Sequence, residues 1–326
     1  MFGFSDKSFF NRLITLLIVL LAGFILSIAI YMFIVFVQSG FDMARFSGQS
    51  ALAIQEVDMM RILQILTSLF IFILPPFFMT YLFRDNLQKY LSLNLPKPMQ
   101  VVFAILSLVV AIPLINFLVN WNEGMHLPAF LNDIETWMRT SEDAAAKVTE
   151  KLLSGTAWID LISNLVIIAL MAGIGEELFF RGLLQRMFTD LIKGNKDVVS
   201  KKRLAWSKHA AIWVIAFIFS AIHLQFYGFI PRMLLGVWFG YLLLWTGSIW
   251  IPIIAHFTNN ALSTIFSFAE NRGLLSVNPD IIGVKETSWY CFISILLLAC
   301  CVVFFKKSQK ESDKQVLQIQ THRMKE

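Results

Sequence analysis

Long apolar runs alternate with short polar ones along the whole chain. The apolar stretches run about 13–38, 62–83, 101–119, 157–190, 209–226, 232–246, 249–268 and 288–305. A helix needs about 20 apolar residues to cross the hydrocarbon of a bilayer, so the pattern predicts about eight transmembrane helices. Pro75-Pro76 and Pro113 interrupt the second and third, which membrane helices tolerate when neighbours satisfy the freed carbonyls. The fold class read from the pattern is all-α, a polytopic membrane helix bundle. Its divisions are three N-terminal transmembrane helices over 1–120, an extracytoplasmic amphipathic segment over 121–156, a membrane core over 157–268, a last transmembrane helix over 269–305 and a cytoplasmic polar tail over 306–326.

The 121–156 segment is the only sizeable one outside the predicted membrane. Asn132-Asp133-Ile134-Glu135 has capping-box spacing, and Ile134, Trp137, Met138, Ala145, Val148 and Leu152 roughly follow one helical stripe. A helix lying on the surface or packed on the bundle is expected, with a lid over a cavity as its functional alternative.

Composition agrees with the pattern. The 326 residues are 57% hydrophobic and only 15% charged, where a soluble domain is about a quarter charged. The formal net charge of +5 arises from clusters in particular connections, which reads as membrane orientation and not as nucleic-acid binding. Lys7 and Arg12 precede the first span; Arg84, Lys89 and Lys97 follow the second; Lys193, Lys196, Lys201 and Lys202 sit between the fourth and fifth; Lys306 and Lys307 follow the eighth. The other connections are acidic or mixed. The positive-inside rule then sets both termini in the cytoplasm of a multi-pass plasma (inner) membrane protein in contact with lipid. Cys291, Cys300 and Cys301 share one apolar run without C-x-x-C spacing, so neither a disulfide framework nor a cysteine zinc site is indicated.

Against this background the polar residues inside the spans stand out. Gly175-Glu176-Glu177-Leu178-Phe179-Phe180-Arg181 sets two carboxylates and an arginine in one of the most apolar regions, where each ionised group costs several kcal/mol unless paired or wetted. Glu177 and Arg181, four apart, can pair on one helix face. Glu176 points about 100° away and has no local partner. His223 and His256 are the two histidines inside apolar stretches, and Asn260 lies one turn beyond His256 on the same face. Read singly, a membrane histidine or asparagine is often helix–helix glue and a Glu–Arg pair a structural clip. On three different spans, these groups are satisfied together only by converging on one cavity, expected to open towards the cytoplasmic half. A carboxylate with an imidazole can deprotonate water, and a second imidazole with a carboxamide can stabilise an oxyanion. Glu176, His223 and His256 are equally an acceptable zinc set with an open fourth position. These residue types leave the two versions open, zinc or no cofactor. Pro252, four before His256, is expected to bend that helix, and Gly236 and Gly240 to let helices approach closely.

Glu176-Glu177-x-x-x-Arg181, Phe219-x-x-x-His223 and His256-x-x-x-Asn260 resemble, in order, the three motifs of the CAAX-processing and bacteriocin-processing (CPBP, or Abi) intramembrane proteases, which include the type II CAAX prenyl endopeptidases. The resemblance covers about 165–265. It implies an endopeptidase that hydrolyses a peptide bond of a membrane-associated or lipidated protein or peptide, with Glu176 and His223 activating water, His256 and Asn260 stabilising the oxyanion, and Glu177 and Arg181 as a supporting ion pair. The family has been described both as metalloproteases and as metal-independent glutamate proteases. The rival classes are a transporter or proton relay, since buried acids and histidines also build those, and a catalytically silent membrane scaffold.

Overall fold

A computed structural model describes residues 8–47, 56–194, 199–275 and 279–323; Lys7, Lys196 and Lys325 lie outside them. Nine long helices carry the architecture: α1 (Phe9–Gln38), α2 (Val57–Leu82), α3 (Pro98–Glu123), α4 (Asn132–Leu153), α5 (Trp158–Lys193), α6 (Lys201–Ala221), α7 (Phe229–Thr246), α8 (Trp250–Asn271) and α9 (Tyr290–Arg323). By length and composition seven of them can cross a membrane, α4 and α8 being the exceptions. The molecule is an all-α polytopic bundle. The expected span over 249–268 does form a helix of 22 residues, α8. Its His256, Thr258, Asn259 and Asn260 make it too polar to qualify as a span on composition, and they are the groups it contributes to the interior.

Local sequence explains most of the ends. Ser8 and Ser200 accept the Asn11 and Arg203 amides as N-caps of α1 and α6, at 3.4 and 3.2 Å. α7 stops at Gly247, whose φ of +66° is the left-handed turn that glycine adopts without strain. Pro252 falls in the first turn of α8, where its missing N–H has no partner to lose, so it starts this helix instead of bending it. Asn132 likewise begins α4 instead of capping it, and Glu135 turns back to the Leu127 amide at 2.8 Å. α9 does not stop at Lys306. It continues to Arg323 through a Lys-, Gln- and Glu-rich stretch without glycine or proline, so nothing there breaks a helix. π-helical turns at Ser68–Ile73, Leu165–Met171 and Leu178–Leu184 widen α2 and α5. The first of them lies just ahead of Pro75-Pro76, and α2 runs through the pair unbroken.

Two faces are defined by what ties the connections together. On one, Arg12 pairs with Asp85 at 2.8 Å and Arg186 donates to the Lys89 and Tyr90 carbonyls. The Thr246–Ser248 turn there is tied to the chain segment before α3, which buries Ser248 while Gly247 stays exposed: Ser248 donates to the Asn94 carbonyl at 2.6 Å and Ile249 to that of Ser92 at 2.9 Å. This is the basic face. On the other, Arg61 of α2 pairs with Asp160 at 3.1 Å, Asn122 of α3 holds Phe226 and Ile230, and Asn164 of α5 donates to Leu152 at the end of α4. Polarity is inverted relative to a soluble protein. Ile18, Leu21, Phe292 and Leu296 on α1 and α9 lie more than half exposed, while Glu177, Arg181 and His256 are buried.

Candidate active site

The site begins with α5. Between its two π-helical turns, Ala172–Glu177 is ordinary α-helix and ends on the two glutamates. Glu177 is fully buried, and one of its oxygens, Oε1, accepts from Arg181 Nη1 and from His256 Nδ1, both at 2.8 Å. The i,i+4 spacing supplies the first contact, and only the packing of α8 against α5 supplies the second. Arg181, just as buried, spends Nη2 on the Gly236 carbonyl at 3.0 Å and lays its guanidinium 4.6 Å from the Phe219 ring centre. Gly236 is what permits this. A Cβ there would stand 3.2 Å from Ala216 and 3.3 Å from Arg181 Nη2, closer than most side chains allow.

His256 is clamped on every side. Its ring stacks on Phe239 with centroids 5.1 Å apart, and Phe219 meets it edge-on at 6.1 Å. With Nδ1 given to Glu177, the ring turns Nε2 towards Glu176, whose Oε2 is 3.9 Å away, within ion-pair range but beyond a hydrogen bond. His256 therefore stands between the two glutamates. Sequence reasoning grouped it with Glu176 and did not foresee its bond to Glu177, because one residue's rotation on α8 decides it.

His223 lies two residues beyond the end of α6. Its Nδ1 sits 2.7 Å from the Phe219 carbonyl. A carbonyl only accepts, so Nδ1 carries the proton and Nε2 of a neutral ring is a free acceptor. Asn260 donates Nδ2 to the Ile168 carbonyl at 3.2 Å, inside the first π-helical turn of α5, and its Oδ1 accepts from Asn259. One N–H of its amide remains for another acceptor.

Glu176, His223, His256 and Asn260 all line one cavity of about 560 Å³. It is walled by α3, α7 and α8 and reaches exposed Thr149 of α4, Glu270 and Asp280. The mouth is therefore on the face opposite the basic one, which reverses the expected opening. The physical reason is the tie at the Thr246–Ser248 turn: the segment before α3 bonds to Gly247, Ser248 and Ile249 and closes the basic end of α7 and α8, whereas further along α8 the side chains of Asn259, Asn260 and Ser263 line the cavity. Sequence reasoning also passed over Arg232, Gln225 and Asn259, which line the same cavity. Arg232 holds Gln225 through its main-chain and side-chain oxygens. An arginine inside the apolar run after Pro231 was the signal available for it.

The zinc set does not assemble. Among the described residues no three His, Cys, Asp or Glu side chains are gathered closely enough to hold a metal ion. His256 gives Nδ1 to Glu177 and His223 gives Nδ1 to a carbonyl, bonds that a metal-ligating histidine also makes and that leave both Nε2 atoms free; it is because of the spacing of the three side chains that no reaction step is routed through a metal here.

Residues 158–262, about a third of the chain, match the family described as type II CAAX prenyl endopeptidase Rce1-like. No curated protein and no solved structure matches the chain. The matched residues contain every helix that contributes to the glutamate–histidine–asparagine cluster, while α4, whose Thr149 and Leu153 complete the cavity wall, lies outside them.

Proposed function

We propose that the protein, whose residues 158–262 match the type II CAAX prenyl endopeptidase Rce1-like family, is an intramembrane endopeptidase that cleaves a peptide bond of a membrane-associated substrate, lipidated or not, with a water activated by Glu176. The observation that carries the reading is one cavity bordered by a carboxylate, two imidazoles and a carboxamide in an otherwise apolar core.

Glu176 is the general base. It takes a proton from a water that the free Nε2 of His223 orients, and the hydroxide attacks the scissile carbonyl carbon. The tetrahedral oxyanion accepts from Asn260 and from His256 when its Nε2 is protonated; these donors are fixed before the reaction, and donors of this kind contribute about 3–4 kcal/mol each. Glu176 then returns its proton to the leaving nitrogen as the C–N bond breaks, which releases an amine and a carboxylic acid whose proton then passes to the amine. Glu177 touches no reacting atom. It holds the His256 ring and neutralises Arg181.

The test is cleavage of a membrane-anchored peptide by the purified protein and by its Glu176→Gln variant. Turnover should fall by at least about a hundredfold in a protein that is still folded, as for loss of a general base. Near-normal cleavage by folded Glu176→Gln would remove the assignment.

A further inference from the structure

The cavity has a side. From the cluster, which lies near the middle of α5, it follows α8 from His256 to Glu270 and α3 from Leu108 to Val119, and it surfaces at Thr149, Glu270 and Asp280. Among the described residues, none of the basic face lines it. Lys89, Lys97, Lys193, Lys201 and Lys208 belong to that other face. The face that bears the mouth carries fewer basic residues, among them Arg61 and Arg139, which pair with acids, and Arg272, which lies over the Trp158 ring. An excess of lysines and arginines in the short connections marks the cytoplasmic ends of membrane helices.

Resting on the endopeptidase reading, we infer that the active site is entered from the non-cytoplasmic side of the membrane, and that the substrate is a membrane-anchored peptide whose scissile bond lies on that side, such as the membrane-proximal segment of an exported protein. The cavity is built for an extended peptide near the bilayer. Its α3 wall is apolar, at Leu108, Ile112 and Ile115, and its α8 wall is polar, at Asn259, Asn260 and Ser263. Glu176 is about equally deep from both ends of α5, about 25 Å along the helix, so the tie between Ser92–Asn94 and the Thr246–Ser248 turn makes the difference: a chain from the basic face would have to cross the closed half of the bundle, whereas one from the other face meets the cavity.

The experiment has two arms. Single cysteines are installed in sealed cells at Thr149 and, separately, at Lys208, with Cys291, Cys300 and Cys301 replaced by serine. A membrane-impermeant maleimide should label position 149 from outside and position 208 only after permeabilisation; the reverse pattern overturns the inference. In the second arm, one cleavable segment is tethered to a single-span anchor on either side of the membrane. Cleavage should occur outside and be lost when the segment is cytoplasmic. Cleavage confined to the cytoplasmic segment overturns the inference even with the expected labels. Cleavage of neither, with the expected labels, refutes the endopeptidase reading and upholds the sidedness.

Discussion

Glu176 and Glu177 are neighbours with opposite surroundings, and this difference sets what each substitution should do. Glu177 is sealed, bonded to Arg181 and to His256. Breaking a buried pair strands the other charge at a cost of about 3–5 kcal/mol. Glu177→Gln should therefore lower the thermal midpoint and the yield of folded protein along with activity. Glu176 borders the cavity and, among the described residues, has no partner at hydrogen-bond distance, His256 standing 3.9 Å away, so Glu176→Gln should leave the midpoint close to wild type. A Glu177→Gln protein as stable as wild type would break this division. Gly236→Val tests the same cluster from α7: the new side chain would press on Ala216 and the Arg181 guanidinium. We expect a loss of about 1–3 kcal/mol, the usual range for overpacking, read as a lower unfolding midpoint.

At the scale of elements, α4 deserves its own experiment because it holds the loop that follows His223. Glu142 accepts the Tyr227 amide at 2.9 Å, Trp137 packs on Phe226 at 5.1 Å, and Arg139 lies 4.2 Å over the Tyr227 ring. Leu224, directly after His223, has φ of +53°, a conformation that a leucine adopts only when its surroundings impose it. Glu142→Ala should speed hydrogen exchange at the Tyr227 amide and lower kcat more than it raises KM, with Glu142→Gln, still an acceptor, restoring much of both. Unchanged exchange would show that α4 does not hold the loop. The start of α4 also carries a pH signature. Hydrogen bonds from Arg139, from the Leu127 amide and from His126 lower the Glu135 carboxyl from its ordinary 4.5 to about 2. A folded value below the unfolded one means that the stabilisation is complete above about 4.5 and is lost as pH falls towards 2. Cleavage by a soluble protease near 126–135 should therefore increase across that window, and Glu135→Gln should abolish the dependence.

For the whole molecule, the outward faces of α1 and α9 are the test of its solvent. Ile18, Leu21, Phe292 and Leu296 lie more than half exposed, which only a hydrocarbon surrounding makes favourable. Leu296→Arg should weaken membrane integration by roughly 2.5–3.5 kcal/mol, measured as the inserted fraction. Arginine at Thr149, on the mouth face, should not. Equal insertion of wild type and Leu296→Arg would contradict the bundle's orientation in lipid.

The helices were legible, each of the eight apolar runs falling on one, because apolar length is a local property of the chain; that only seven are apolar enough to cross a membrane was not, since α8 carries the polar groups of the site. The Glu177–Arg181 pair was legible because four residues bring side chains together on any helix. Membership of Glu176, His223, His256 and Asn260 in one cavity could be argued from desolvation, since no span could satisfy these groups alone. What the sequence could not contain is how the helices rotate and which end of the bundle closes. The bond from His256 to Glu177 depends on the turn of α8 against α5. The seal at the basic end depends on Ser92–Asn94 folding over the Thr246–Ser248 turn, and the π-helical turns that flank the glutamates have no periodic signal. Each joins residues far apart in the chain by contacts of a few ångströms, and a hydropathy pattern, which scores residues one by one along the chain, has no term for them.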